Sequence, residues 1–178
     1  NALHVVASGD IGPYWDLSDG GFETRTRRVV GSSYTLFYYW RPGDRNPKVL
    51  HDGDTYGDYW VYIDNNNLGF VPGQRNTGYD ITADTWQTLI VKGVATNVTS
   101  GVGTSTFYVN GVEVGSVGRV ASGDTTRNIA PTYPGYIAVA GVLNTALNVA
   151  EITSLHSYMT NTKTSAGCSP CPVGTTSD

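Results

Sequence analysis

The sequence predicts an all-β protein in which two antiparallel sheets form a sandwich, with one short helix near the C-terminus. Asn110-Gly111 lies between the runs 106–109 and 112–114 and supplies the two positive-φ residues of a two-residue hairpin turn. The run that begins at Trp86 alternates in polarity, as a half-buried strand does. The chain also has 22 glycines and 12 tyrosines but one methionine, a composition typical of short strands and turns.

Turn residues divide most of the chain into short predicted strands. The run 34–40 has one polar residue, Thr35, so we expect a central strand that is covered on both faces. A loop is expected over 118–133, and an acidic turn is expected over 52–58. The ten predicted strands are 3–7, 24–30, 34–40, 48–51, 59–64, 68–71, 86–92, 106–109, 112–114 and 135–140.

One helix of about three turns is predicted to begin at Asn148. Asn148 is a favoured N-cap residue, and Glu151 three positions later completes a capping box. Leu147 and Ile152 flank this start as a hydrophobic staple does. The apolar residues expected on its buried face recur at helical spacing: Ile152, Leu155 and Met159.

Length and charge restrict the classes of function. The 178 residues suit one sandwich domain, placed at 1–159, followed by a linker and tail at 160–178. The net charge is −4, and the basic cluster at 25–28 is too small a positive field for nucleic acid, so no nucleic-acid partner is expected. No apolar run approaches the length of a membrane-spanning helix, so no membrane span is expected.

Two features indicate a location outside the cell. Asn97-Val98-Thr99 is an N-glycosylation sequon in the polar stretch 95–103, which is expected to be a loop. Cys168 and Cys171 follow a predicted linker at 160–167 and have neither a redox nor a four-thiolate zinc context. We expect them to begin a disulfide-rich module, although they can also pair with each other.

The segment 34–159 resembles the concanavalin A-like, laminin-G-type jelly-roll sandwich. Five motifs carry the resemblance in order and spacing: the aromatic strand 34–40, the strand 60–63 leading to 68–70, the Trp before 87–92, Phe107-Tyr108-Val109-Asn110-Gly111, and 146–152. The tail 168–175 is similar to the opening of EGF-like or ephrin-receptor-like repeats. These resemblances imply a two-sheet antiparallel jelly roll in a modular extracellular protein. Such modules bind glycans or protein partners, often with calcium, and rarely catalyse reactions.

An enzyme is not expected. Glucanases that share the sandwich fold need two glutamates close together on one strand face. Glu23, Glu113 and Glu151 are the only glutamates and do not form such a pair, although paired aspartates remain an alternative. The three histidines are accompanied by no Gly-x-Ser-x-Gly motif that would present a nucleophilic serine.

Calcium is the one cofactor that the sequence suggests. Asp52, Asp54 and Asp58 place three hard oxygen donors within seven residues, and glycines between them allow the backbone to fold around an ion. The spacing does not match the helix-loop-helix calcium loop, because its twelfth position is Ile63. The alternative is that aspartate and glycine occur here only because turns favour them.

A sugar-binding rim is predicted beside the acidic turn. Tyr56, Asn65 and Asn66 are the candidate ligand-binding residues, since an aromatic face beside amide groups suits a sugar. Trp60 and Tyr62 are two positions apart in a predicted strand and therefore share one face of it, so at least one of these rings is expected in the core.

The predicted function is therefore a non-catalytic extracellular or cell-surface recognition module that binds glycan or protein, with calcium as an optional cofactor. The alternative is a structural building block of an extracellular filament or coat, which contacts copies of itself and has no soluble ligand. A glycoside hydrolase is the least favoured alternative.

Overall fold

The computed structural model describes residues 15–16, 22–23, 31–43, 48–53, 59–65, 67–70, 75–97, 99–121, 126–129 and 135–165. Within them, twelve strands and one helix are formed. They are β1 (Trp15–Asp16), β2 (Phe22–Glu23), β3 (Ser33–Pro42), β4 (Lys48–Gly53), β5 (Tyr59–Asp64), β6 (Asn67–Phe70), β7 (Arg75–Asp80), β8 (Gln87–Asn97), β9 (Val102–Val109), β10 (Val112–Val117), β11 (Thr126–Ile129), β12 (Gly135–Leu143) and α1 (Val149–Ser165).

The strands form two six-stranded antiparallel sheets. Sheet A has the order β1-β12-β3-β8-β9-β10, and sheet B has the order β2-β11-β4-β5-β6-β7. The predicted fold class, an all-β two-sheet sandwich with one C-terminal helix, is therefore confirmed. β3 lies between β12 and β8, as its almost uniformly apolar sequence predicts, because a central strand is buried on both faces.

The main core lies between the two sheets. Alternate residues of β3 point into it, and the facing side chains of β4, β5 and β6 complete it. Its fully buried aromatic side chains are Tyr34, Tyr38, Trp40, Trp60, Phe70 and Phe107. Trp60 is thus a core residue, as predicted for at least one of these two rings, whereas Tyr62 is half-buried.

A second core covers the outer face of sheet A. Ile152 and Met159 of α1 pack against Tyr39, Ile90 and Tyr108, and all five side chains are buried. The apolar face of the helix is therefore the predicted one. Because each face of β3 has its own apolar cluster, the strand needs apolar residues at consecutive positions rather than at alternate ones.

The start of α1 is the predicted capping box. The Asn148 Oδ1 accepts the N–H of Glu151 at 3.0 Å, and the Glu151 carboxylate accepts the N–H of Asn148 at 2.7 Å. The helix is longer than the predicted three turns, because it continues to Ser165. The predicted linker at 160–167 therefore begins inside the helix, and 166–178 lie outside the described residues.

The Asn-Gly hairpin is also as predicted. Asn110 and Gly111 have φ of 50° and 79°, and Val109 pairs with Val112 across the turn. The hairpin is tied to the preceding strand, because Thr88 donates its N–H to the Asn110 Oδ1 at 3.0 Å.

Three sequence predictions about loops need correction. β1, β2 and β7 were not predicted, and β11 lies within the expected loop 118–133. All four strands are short, and pairing with neighbouring strands stabilises them. The stretch 95–103 is mostly strand, since β8 extends to Asn97 and β9 begins at Val102. The predicted strands 3–7 and 24–30 lie outside the described residues.

Candidate functional site

Most of the predicted calcium donors lie outside the described residues. Asp52 belongs to β4 and not to a turn, since it pairs with Tyr59 on one side and with Asn128 on the other. Asp54 and Asp58 are outside the described part of the chain, so calcium remains a prediction from the sequence. Among the residues described, no group of three or more His, Cys, Asp or Glu side chains is placed to hold a metal ion.

Of the predicted sugar-binding residues, Asn65 is the one within the described part of the chain. Asn65 is exposed in the turn after β5, with φ of 48°. Tyr59, where β5 begins, is at the other end of that strand. The six residues of β5 span about 17 Å at ~3.3 Å per residue. Asn66 and Tyr56 themselves lie outside the described residues, as do Cys168 and Cys171.

His51 is buried in the core and is not available to a ligand. Its ring stacks on Trp60 with centroids 5.3 Å apart, and its Nδ1 is 2.6 Å from the Tyr38 hydroxyl. Burial lowers the pKa of His51 to about 3, because an apolar interior disfavours the charged imidazolium. Burial also raises the pKa of Tyr38 well above its ordinary value. The pair is therefore neutral and structural.

The described residues with the chemistry of a binding site lie at the end of sheet A where β3 finishes. Arg41 is on the outer face of β3 and pairs with Tyr136 of β12. Trp86 immediately precedes Gln87, which pairs with Trp40, so Trp86 lies on the other side of Arg41. Near its end, β3 thus has one aromatic residue paired with Arg41 on the β12 side and a second just before β8 on the other side.

Asp84 completes this group. It lies in the connection from β7 to β8, and Arg41 donates from Nε to its carbonyl oxygen at 3.2 Å and from Nη2 to its Oδ1 at 3.3 Å. Asp84 has φ of 55°, and its own N–H is bonded to the carbonyl of Pro42 at 3.1 Å. We call Tyr136, Arg41, Asp84 and Trp86 the Arg41 cluster.

The two charged groups of the Arg41 cluster remain accessible. The Arg41 side chain is 38% exposed and that of Asp84 is 70% exposed. Arginine has five N–H donors, and the two bonds to Asp84 use two of them, so three have no partner among the described residues. The pair therefore presents both free donors and a free carboxylate oxygen to solvent.

The aromatic residues hold this group in place. The Arg41 guanidinium lies over the Tyr136 ring, 5.6 Å from its centroid, within range of a cation–π interaction. Trp86 packs on Tyr39 with ring centroids 5.1 Å apart, and it is half-buried. The Arg41 cluster thus combines two partly exposed rings with the hydrogen-bonding groups of Arg41 and Asp84.

Sheet B contributes further polar groups at the same end. Asp64, Asn67 and Asp80 pair in one row across β5, β6 and β7, and Asn67 donates to the Asp80 Oδ1 at 3.4 Å. The connection that contains Asp84 begins directly after Asp80. Asn65, one of the predicted ligand-binding residues, follows Asp64 and is therefore at the end of the molecule that holds the Arg41 cluster.

Sequence reasoning did not find the Arg41 cluster. Trp86 was predicted only as the start of a strand, and Arg41, Asp84 and Tyr136 were not among the predicted binding residues. One sequence signal could have pointed to the cluster. Arg41, Asp84 and Tyr136 are charged or aromatic residues, and each lies beside turn residues near the end of a strand. Only the strand order brings those ends together, because residues 41 and 136 are far apart in the chain.

The predicted glycosylation site is at the opposite end of sheet A. Asn97 is exposed as the last residue of β8, and its Oδ1 accepts the N–H of Ser100 at 3.2 Å. β8 begins beside the Arg41 cluster and has 11 residues, so Asn97 is roughly 33 Å from that end.

The described glutamates occupy positions that do not form a catalytic pair. Glu113 is exposed on the edge strand β10, where it pairs with Tyr108 and raises the pKa of that phenol, although burial contributes more. The carboxylate of Glu151 belongs to the helix cap. No helix formed by the described residues is long and apolar enough to cross a bilayer.

Solved structures with the same architecture include sugar-binding proteins. A native heptameric SAP-like pentraxin from Limulus polyphemus is 15% identical, with a TM-score of 0.56 over 77% of this chain and 76% of its own. The fold is a lectin-like jelly roll. The CBM40 of a Ruminococcus gnavus IT-sialidase, solved with α2,3 sialyllactose bound, is 14% identical, with a TM-score of 0.52 over 77% of this chain and 96% of its own.

A third similar structure is a botulinum toxin. Botulinum neurotoxin type C, whose cell entry depends on interaction with two ganglioside molecules, is 14% identical, with a TM-score of 0.53 over 74% of this chain and 36% of its own. The present chain therefore spans about a third of that toxin chain. No protein-family model and no curated protein sequence matches the chain. These similarities confirm the two-sheet jelly-roll fold, whereas the laminin-G-type resemblance and the EGF-like module stay predictions.

Proposed function

We propose that this domain is a non-catalytic glycan-recognition module and that the Arg41 cluster is its binding site. The observation that carries the proposal is that the accessible hydrogen-bonding groups of Arg41 and Asp84 lie at the same end of sheet A as two partly exposed aromatic rings, those of Tyr136 and Trp86. A sugar ring has an apolar C–H face and a hydroxyl edge, so it needs an aromatic surface beside donors and acceptors. The Arg41 cluster supplies all three.

The residues of the Arg41 cluster are held in place by strands and backbone hydrogen bonds, which supports this proposal. Arg41 and Tyr136 lie on strands, and Asp84 is fixed through its backbone to Pro42. Groups that are already ordered lose little conformational entropy on binding, which matters for a small polar ligand. Similar structures add indirect support, since one binds sialyllactose and another interacts with gangliosides. Fold likeness alone does not assign function.

The compartment and the cofactor are part of the same proposal. An extracellular or cell-surface location is supported by the exposed sequon at Asn97 and by the two cysteines of the tail. Calcium at Asp52, Asp54 and Asp58 is supported only by the sequence. The Arg41 cluster contains no group that requires a metal ion, so we expect glycan binding to persist when EDTA is present.

The test is a glycan array with the wild-type domain and two tyrosine variants. We expect binding to at least one glycan class, and Tyr136→Ser should abolish it by removing an aromatic surface of the cluster. Tyr158→Ser is the matched control, because Tyr158 is 65% exposed on α1 and is not part of the cluster. Failure of the wild-type domain to bind any glycan would refute the proposal.

The alternatives give different results in the same preparation. A hydrolase would release reducing ends from a glycan that it binds, and we expect none. A structural unit of a filament would form assemblies that light scattering detects, without binding to the array. The partner would then be a second copy of the chain.

A further inference from the structure

We infer that the Arg41 cluster selects uncharged sugars with adjacent hydroxyl groups rather than acidic sugars. This inference rests on the proposed function and names the ligand class of the same site. It differs from what the similar structures bind, since sialyllactose carries a carboxylate. Two properties of the residues at this end of the sandwich support it: their charges, and their hydrogen-bonding groups that have no partner among the described residues.

The first step is that the positive charge of Arg41 is already compensated. Its guanidinium forms an ion pair with the Asp84 carboxylate, with Nη2 and Oδ1 separated by 3.3 Å. An acidic sugar would have to compete with that carboxylate for Arg41. The backbone of Asp84 is also bonded to Pro42 and Arg41, so its carboxylate stays within reach of the guanidinium.

The second step is the charge of the surroundings. Among the described side chains at this end, Arg41 is the one cation, and Asp64 and Asp80 add two carboxylates to that of Asp84. A carboxylate-bearing ligand bound to Arg41 would be repelled at least by Asp84, which lies well within the ~10 Å over which exposed charges interact in 0.1 M salt. An uncharged sugar does not meet this repulsion.

The third step is hydrogen-bond complementarity. Each hydroxyl of an adjacent pair both donates and accepts, so a diol needs donors and acceptors side by side. Arg41 has donors without partners among the described residues, and Asp84 has its Oδ2 without one. Hydrogen bonds to charged groups are the stronger kind, which favours this pairing over two neutral groups.

The experiment is a glycan array that contains matched uncharged and sialylated forms of the same oligosaccharides, with Asp84→Asn and Arg41→Lys as test variants. The wild-type domain should bind uncharged members, and binding to their sialylated forms should be at least tenfold weaker. Asp84→Asn should weaken binding to the uncharged members by about tenfold or more, because it replaces a charged acceptor. Arg41→Lys should do the same, since lysine keeps the charge but lacks the planar fork.

Glu113→Gln is the matched control. It removes one negative charge, as Asp84→Asn does, but on β10, three strands from β3 and about 14 Å away at ~4.8 Å per strand. Its binding should equal that of the wild type. Circular dichroism and thermal unfolding of each variant show whether it is folded.

The outcomes separate the inference from the proposed function. Preferential binding of sialylated members, strengthened by Asp84→Asn, would overturn the inference and leave glycan recognition intact. Glycan binding that neither Asp84→Asn nor Arg41→Lys changes would overturn the placement at the Arg41 cluster. Absence of all glycan binding would overturn the proposed function as well.

Discussion

The Tyr38 hydroxyl and the Nδ1 of His51 are 2.6 Å apart in the core, and this hydrogen bond joins the two sheets. Tyr38 is on β3 of sheet A, and His51 is on β4 of sheet B. Both side chains are fully buried. A buried hydrogen bond of this kind is modest in net energy, but removing one partner is costly, because the other is left unsatisfied in an apolar interior.

We expect His51 to make the fold sensitive to mild acid. Its pKa is lowered by burial to about 3, whereas the unfolded chain takes up a proton near the ordinary value of 6.5. Between these values the unfolded state binds more protons, so the free energy of unfolding decreases as the pH falls, by up to ~1.4 kcal/mol per pH unit. Urea unfolding at pH 7.0, 6.0 and 5.0 measures this slope.

Two histidine variants test whether His51 causes this dependence of the free energy of unfolding on pH. His51→Gln should be less stable at pH 7 but should lose most of the decrease between pH 6.5 and 5. His156→Gln is the control, because His156 is only partly buried and its Nδ1 bonds the Thr88 hydroxyl at 2.8 Å. An unchanged slope in His51→Gln would contradict the prediction.

A second prediction concerns Gly93 in β8. A Cβ at this position would overlap the buried ring of Tyr34, whose hydroxyl accepts the N–H of Ala121 at 3.0 Å. Gly93→Ala should therefore lower the free energy of unfolding by about 1–3 kcal/mol through overpacking. Gly31→Ala is the matched control, since the nearest atom to its Cβ is 4.0 Å away. Equal stability of the two variants would show that Tyr34 can move aside.

The third prediction concerns the cap of α1. Asn148→Ala removes the side chain that accepts the N–H of Glu151, so it should destabilise the domain by about 1 kcal/mol. Glu151→Gln keeps the capping-box pattern and should cost less. Thermal unfolding of both variants and of the wild type distinguishes them. If Glu151→Gln costs as much as Asn148→Ala, then the charge of Glu151 at the helix start contributes as much as the Asn148 cap, contrary to the prediction.

The fourth prediction concerns Asn97. When the domain is secreted from eukaryotic cells, we expect an N-linked glycan there, because Asn97 and Thr99 are both exposed at the turn between β8 and β9. Treatment with an N-glycosidase should shift the mass of the wild type but not of Asn97→Gln or Thr99→Ala. Thr96→Ala leaves the sequon intact and should retain the shift. A wild-type protein without the shift would disprove the assignment.

Such a glycan would leave the Arg41 cluster accessible, since the two lie at opposite ends of β8. Glycan binding by the Arg41 cluster should therefore be the same with and without the N-linked glycan.

Local pattern predicted most of the fold that the structure describes. Asn110-Gly111, the run 34–40 and the Asn148 cap each depend on the intrinsic preference of a few neighbouring residues. Such preferences can be recognised without knowing the rest of the fold. β7 and β11 escaped prediction because their polar sequences have little preference of their own, and pairing with adjacent strands stabilises them.

The candidate site was not predictable in the same way. The sequence by itself determined the two sheets, the hairpin and the capped helix, because alternation, turn residues and caps act over short distances. Only the tertiary structure decided that Arg41, Asp84 and Tyr136 meet and that Asn65 lies far from the start of β5. The physical reason is that strand order and direction place residues distant in the chain at a common sheet end, and no local preference encodes that order.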